Sequence, residues 1–344
     1  MNILPADQKG ISRPPTRWEK GSNVVFRSLT HVVAWLTVLL VLFIVFEIGW
    51  AAAPAIKRYG LGFLTTVKWD PNTEEYGIRP HIWGTLYSSL LAVLIGTVFG
   101  LSVAAFLSER FLSSLIYRIL KLFGVEHHSF WSKLPDSLEM LLKNLIQLLA
   151  AIPSVVYGLW GIFVISPLLH PVCTWLHKSL GWIPFFGTSF NPYSMLPAAL
   201  VLSIMVLPTI SAISRDALVS VPPRLRQAAY GLGATRWEAL VSVIIPTAQT
   251  GIFGSVLLAF GRAIGETMAL AMLVGNANTL SWSLFSPANT LAAMMANTFP
   301  EAREPNLVAA LMYAALVLMA ITLIVNILGA WILQRASRSM KGAH

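Results

Sequence analysis

Charge and cysteine are scarce in this chain. Charged residues fill only 11% of its 344 positions, against about 25% in an average soluble domain, while hydrophobic residues fill 56%. A chain so poor in charge is an integral membrane protein rather than a water-soluble domain. The single cysteine, Cys173, excludes an intramolecular disulfide framework, and no Cys/His cluster has metal-ligand spacing. Thiol redox chemistry and structural zinc are therefore not expected. No Gly-Lys dipeptide occurs, so the chain has no Walker A loop to cradle ATP. Any dependence on ATP must come through another chain. No nucleophile–base constellation is visible either, which leaves a membrane enzyme as the weakest reading.

Long apolar runs are abundant. A helix needs about 20 residues to cross a hydrocarbon core, and six segments qualify, near 30–53, 82–107, 138–168, 194–214, 248–275 and 306–334. The expected fold is all-α with six transmembrane helices. Basic residues then set the orientation. Sixteen of the 24 Lys and Arg fall before the first segment, between the second and third, between the fourth and fifth, or after the sixth. Only six lie on the alternate side, namely Lys57, Arg58, Lys68, Arg79, Lys178 and Arg303, while Lys143 and Arg262 fall inside segments. Positive loops stay in the cytoplasm, so both termini are expected there. The net charge of +9 is thus topological and leaves little for a nucleic-acid footprint. The basic leader and the apolar run ending in AAA at 51–53 imitate a secretory signal. The leader is too long and the run exceeds a signal's apolar stretch of about 7–15 residues, which predicts an uncleaved first helix.

Local punctuation refines this outline. GTVFG at 96–100 and GRAIG at 261–265 are small-xxx-small patterns that let helix backbones approach. Pro153, Pro167 and Pro208 predict kinks or breaks. Residues 138–151 carry Glu139, Lys143, Asn144 and Gln147, so the first half of the third segment lies along a surface or against other helices. His127 and His128, adjacent within the looser stretch 111–137, suit a solvated loop better than a metal site.

Between the fourth and fifth segments, PPRLRQAAYGLG at 222–233 opens with proline where a helix tolerates it and spaces Leu225, Ala228, Ala229 and Leu232 on one face. Gly231 and Gly233 end that helix. Thr235 with Glu238 is a capping-box start for a second helix, expected to stop at Pro246. The arginines here could suggest a DNA-binding helix-turn-helix, but a short loop tethered to the membrane at both ends could hardly enter a major groove. Docking of a cytoplasmic partner fits better.

QAAYGLGATRWEALVSVIIP at 227–246 resembles the EAA loop of ABC-importer permeases, with Ala228, Ala229, Gly233 and Pro246 matching the pattern and Gln227 replacing its leading glutamate. That departure removes a charge but not the helical shape that docks. GRAIGETMALAMLVGN at 261–276, WDPNTEEYGIRPHIWGTLYSSLLA at 69–92 and AAIPSVVYGLWGIF at 150–163 resemble the PstC family of phosphate-importer permeases. Gly261 and Met268 favour that family over the similar PstA family. The resemblance implies a type I ABC-importer permease fold in a bacterial inner membrane. It implies a cytoplasmic segment at 1–29, a permease domain at 30–335 with a cytoplasmic extension at 111–137 and a coupling loop at 215–247, and a tail at 336–344. Implied partners are a PstA-like permease forming a heterodimer, a PstB-like ATPase dimer carrying ATP and Mg, and a PstS-like periplasmic phosphate-binding protein meeting the outer loops 54–81, 169–193 and 276–305. No cofactor is expected on this chain.

Within GRAIGETMAL, Arg262 and Glu266 are ionisable residues at membrane depth, which are rare and functional by default. Arg262 falls roughly 20 Å along a helix counted from Ala248, near the midplane. Four residues apart on a continuous helix, the two could pair. A structural ion pair is one reading. The other places Arg262 on the phosphate path, because guanidinium engages phosphate oxygens bidentately, with Glu266 tempering its grip. The Arg-before-Glu order is the less favourable one for a helix, and the family places this pair at the translocation pathway. Thr267, Thr85, Ser88 and Ser89 could add neutral hydrogen bonds, although interhelical or back-bonded hydroxyls explain them as well. Glu47 fits an outer-interface position, and Asn276 and Asn278 fit helix termination or an outer vestibule. A permease for molybdate or sulfate and a self-sufficient secondary transporter stand as alternatives; the second leaves the EAA-like loop unexplained.

Overall fold

The computed structural model describes residues 16–109, 111 and 129–341. The expectations placed on His127, His128 and most of the 111–137 extension lie outside the described residues. Residues Met1–Ala51 and Ala52–His344 form two separate compact units. In the first, helix α1, Arg17–Tyr59, begins in the basic leader rather than at residue 30. Its apolar side chains between Val32 and Trp50 are exposed, as suits a helix solvated by lipid.

The second unit continues through the short helix α2, Gly62–Thr65, and a two-stranded antiparallel hairpin, β1 Trp69–Asp70 and β2 Glu75–Tyr76, paired Trp69 to Tyr76. Helices α3 Arg79–Ser108, α4 Ser129–Leu149, α5 Ser154–Leu180 and α6 Met195–Val219 follow. The chain then forms α7 Pro223–Gly231, α8 Arg236–Ile264, α9 Met268–Leu273, α10 Leu291–Thr298 and α11 Pro305–Lys341. Among the described residues six helices are long and apolar enough to cross a membrane: α1, α3, α5, α6, α8 and α11.

Two further spans differ from the expected ones. The third runs over 154–180 rather than 138–168. A turn at Ala150–Ile152 separates the amphipathic α4 from α5, and Pro153 caps α5. Proline pushes the residue before it out of helical geometry, so the apolar run splits there. Lys143, on α4, therefore lies outside the spans. The fifth span starts at Arg236 rather than near 248, because Pro246 does not stop the helix. Leu240–Ile244 widen into a π-helical stretch two residues before Pro246, as Gly161–Ile165 do before Pro167. A wide turn relieves the clash between the proline ring and the carbonyl a turn earlier. α6 runs unbroken through Pro208.

α3, α6 and α8 pack together around Val93, Leu202, Val206, Ile210 and Ala259. The glycine spacing in α3 serves that contact. A Cβ on Gly96 would meet Val206 Cγ2 at 3.0 Å, and one on Gly100 would meet Ile210 Cγ2 at 2.9 Å. A second apolar cluster joins Phe63, Tyr76, Ile78, Met294 and Tyr313, with the Phe63 and Tyr313 rings stacked 4.4 Å apart. Near the hairpin, Glu74 pairs with Arg58 at 2.5 Å and accepts a hydrogen bond from Asn306 Nδ2 at 3.1 Å. Asn306 first, then Arg58, hold the Glu74 carboxyl below its ordinary value of 4.5. The third cluster, Ala104, Leu218, Val221, Leu240, Ile244 and Ala248, lies beneath the loop that contains α7.

Candidate functional site

Residues 261–270 do not form the continuous helix the hydropathy suggests. α8 ends at Ile264, Gly265 is its C-cap, and α9 starts at Met268. Arg262 therefore occupies the last turn of α8, where a cation complements the negative end of the helix dipole. Glu266 stands before α9, and its Oε1 accepts a hydrogen bond from the Ala269 amide at 3.3 Å. A carboxylate there complements the positive end. The Arg-before-Glu order, unfavourable on one helix, is the favourable order across a break.

The break also corrects the expectation of a pair. No ion pair joins Arg262 to Glu266. The Arg262 Nη1 instead donates to Thr209 Oγ1 on α6 at 3.4 Å, a long contact, and the guanidinium remains exposed within Coulombic range of Tyr157. Thr267 donates from Oγ1 to the Gly265 carbonyl at 3.1 Å and so stabilises the break itself. The break is braced by α5, whose Gly158 and Gly161 admit α9: a Cβ on Gly158 would meet Met272 Sδ at 2.7 Å. Non-helical backbone at membrane depth is tolerated only inside protein or beside a water-filled path.

The other hydroxyls are placed for structure. Thr85 donates to the His81 carbonyl at 2.7 Å and accepts from the Leu291 amide at 2.9 Å, while Ser88 donates to the Thr85 carbonyl at 3.3 Å. Ser89 is fully buried without a partner. Asn276, just past the end of α9, donates to the Ala271 carbonyl at 3.0 Å and adopts φ +51°. Glu47 is exposed.

At the loop between α6 and α8 the local expectations hold closely. α7 ends in a Schellman motif, with the Gly233 amide bonded to the Tyr230 carbonyl and the Ala234 amide to the Ala229 carbonyl. Gly233 sits at φ +86°, a conformation L side chains resist. The Thr235–Glu238 capping box is present in both directions. The expected face of Leu225, Ala228, Ala229 and Leu232 forms as well, but only one of the four is buried. Ala229 is buried, whereas Gln227, Ala228 and Leu225 are exposed and Leu232 is 90% exposed. Leu225, Tyr230 and Leu232 thus present apolar surface at this loop, and Trp237 does so in the first turn of α8. Pro246 is inside α8 rather than in the loop. Two residues escaped sequence reasoning: Thr209, which carries no local signal, and Arg226, whose position three before Ala229 marks it as inward-facing.

The family of binding-protein-dependent transport system inner membrane components matches residues 129–340, and the chain belongs to this family. It is a multi-pass inner membrane permease subunit. Among curated relatives, a phosphate transport system permease protein PstC from Mesorhizobium japonicum is 33% identical over 91% of this chain and 90% of its own length. Another PstC, from Haemophilus influenzae, is 38% identical over 88% of this chain and 90% of its own length. A chain of the MetNI methionine ABC transporter superposes with a TM-score of 0.50 at 16% identity, covering 75% of this chain and 95% of that one. That likeness establishes the type I importer fold alone.

Proposed function

We propose that this chain is one of two unlike membrane halves of an ATP-driven importer for inorganic phosphate, and that the anion passes the helix break at Arg262. The observation that carries the path is the uncommitted guanidinium. Arg262 sits in the last turn of the fifth span with one long hydrogen bond, while Glu266 is engaged on the α9 backbone. Guanidinium suits phosphate because its planar donors meet two oxygens at once. Thr267 shapes the break, and Glu266 remains near enough in sequence to moderate the field at Arg262.

The loop carrying Gln227, Ala228, Ala229 and Gly233, followed by Pro246 in α8, receives a PstB-like ATPase dimer. The exposed Leu225 and Leu232 support that docking, since apolar side chains outside the spans want a partner. ATP and Mg belong to that ATPase, and this chain binds no cofactor. One Arg262 per chain supports a heterodimer with a PstA-like permease, and a PstS-like periplasmic protein delivers phosphate to the outer loops. Both termini are cytoplasmic, because the basic residues between spans crowd that side and Lys143 on α4 adds to them.

The test is reconstitution in liposomes. ATP-dependent phosphate uptake should require the binding protein, the ATPase and both permeases, with sulfate and molybdate carried poorly. Uptake without a second permease contradicts the heterodimer, and faster uptake of sulfate or molybdate overturns the substrate.

A further inference from the structure

We infer that Arg226 is the positioning residue that transmits movement of α7 into the membrane bundle. This rests on the reading of α7 as the ATPase-docking helix. Arg226 Nη1 donates to Glu109 Oε1 at 2.5 Å, and Nη2 donates to the Leu218 carbonyl at 2.6 Å. Glu109 is the C-cap residue of α3, and Leu218 lies in the last turn of α6. One guanidinium therefore ties the docking helix to the cytoplasmic ends of the two helices that pack most extensively in the core.

The chemistry argues that this fork is built rather than incidental. A carboxylate at the C-terminal end of α3 opposes the helix dipole, so Glu109 does nothing for α3 alone. The Glu109 side chain is only 4% exposed and that of Arg226 19%, which makes this the most buried ion pair among the described residues. α7 also packs against the Leu240–Ile244 stretch of α8, and its Ala229 is buried. Apolar contacts resist separation but slide, because the hydrophobic effect has no direction. A guanidinium fork with two acceptors fixes direction and distance. When the docked ATPase shifts α7, α3 and α6 must follow.

The experiment compares the complete reconstituted importer with one carrying Arg226→Met/Glu109→Gln, which removes both charges and strands neither. The readouts are ATPase co-purification, ATP hydrolysis and phosphate imported per ATP hydrolysed. The variant should retain the ATPase and hydrolyse ATP, while phosphate per ATP falls about tenfold or more, as expected when a linkage rather than a binding surface is lost. An unchanged ratio overturns the inference. Loss of the ATPase also overturns it, since Arg226 would then shape the docking surface rather than transmit from it. If the wild-type assembly itself fails to couple hydrolysis to phosphate uptake, the functional reading falls instead.

Discussion

Arg226 reaches from α7 to the ends of α3 and α6, and Arg262 stands at the end of α8, yet the two arginines are handled in opposite ways. Arg226 is mostly buried and engaged through both terminal nitrogens, with a carboxylate at 2.5 Å and a carbonyl at 2.6 Å. Arg262 is exposed and holds one hydroxyl at 3.4 Å, while the carboxylate four residues on is occupied elsewhere. A cation whose donors are spent inside the fold transmits force, and a cation whose donors are free can take a ligand. The difference separates a mechanical role from a binding role using the same side chain.

The sharpest way to break this comparison is to remove each arginine in turn. Arg226→Met leaves the buried Glu109 carboxylate unpaired, which should destabilise the chain by about 3–5 kcal/mol. Thermal unfolding in detergent checks it, and a change no larger than a surface substitution produces refutes the buried pair. Next in size, Gly233→Val forces a β-branched residue to φ +86°, at about 1–2 kcal/mol. The chain should still insert, with the turn disturbed and hydrolysis uncoupled from uptake. Co-purification of the ATPase at wild-type yield with unchanged transport counts against a coupling role for that turn. Smaller again, Arg262→Met should move stability by no more than about 0.5 kcal/mol, because little in the fold depends on it. A large loss in the same unfolding assay recasts Arg262 as structural.

The smallest effect tests the hairpin. The Glu74 carboxyl lies below 4.5, held there by Asn306 and Arg58. A depressed carboxylate adds stability above its unfolded value and loses it as pH falls through the folded one. Wild type should therefore lose hairpin order only as pH drops below 4.5, and Glu74→Gln should flatten that dependence. Trp69 fluorescence reads it, and identical acid profiles remove Glu74 from the account.

Six spans and the α7–α8 turn were legible because hydropathy, prolines, Gly233 and the Thr235–Glu238 box are local signals. The third span was misplaced because α4 is itself apolar on one face, so composition continues across the Pro153 break. The break at Gly265–Thr267 was hidden for a related reason: small and apolar residues fill both sides, and only packing of α9 against Gly158 and Gly161 settles where the helix stops. Arg262 and Glu266 were found as charges within an apolar stretch, but their pairing was misjudged once continuity was assumed. Glu109, 117 residues from Arg226, and Thr209, 53 residues from Arg262, meet their partners only through tertiary structure.

The most direct test of the central claim is ATP-dependent phosphate uptake by the complete importer carrying Arg262→Lys, with assembly and ATP hydrolysis verified in the same preparation. Lysine keeps the charge but presents a point rather than a planar fork. If Arg262 grips phosphate in transit, uptake should fall about a hundredfold while the complex stays assembled, a loss of transition-state stabilisation of about 2.7 kcal/mol. Uptake at the wild-type rate contradicts the claim.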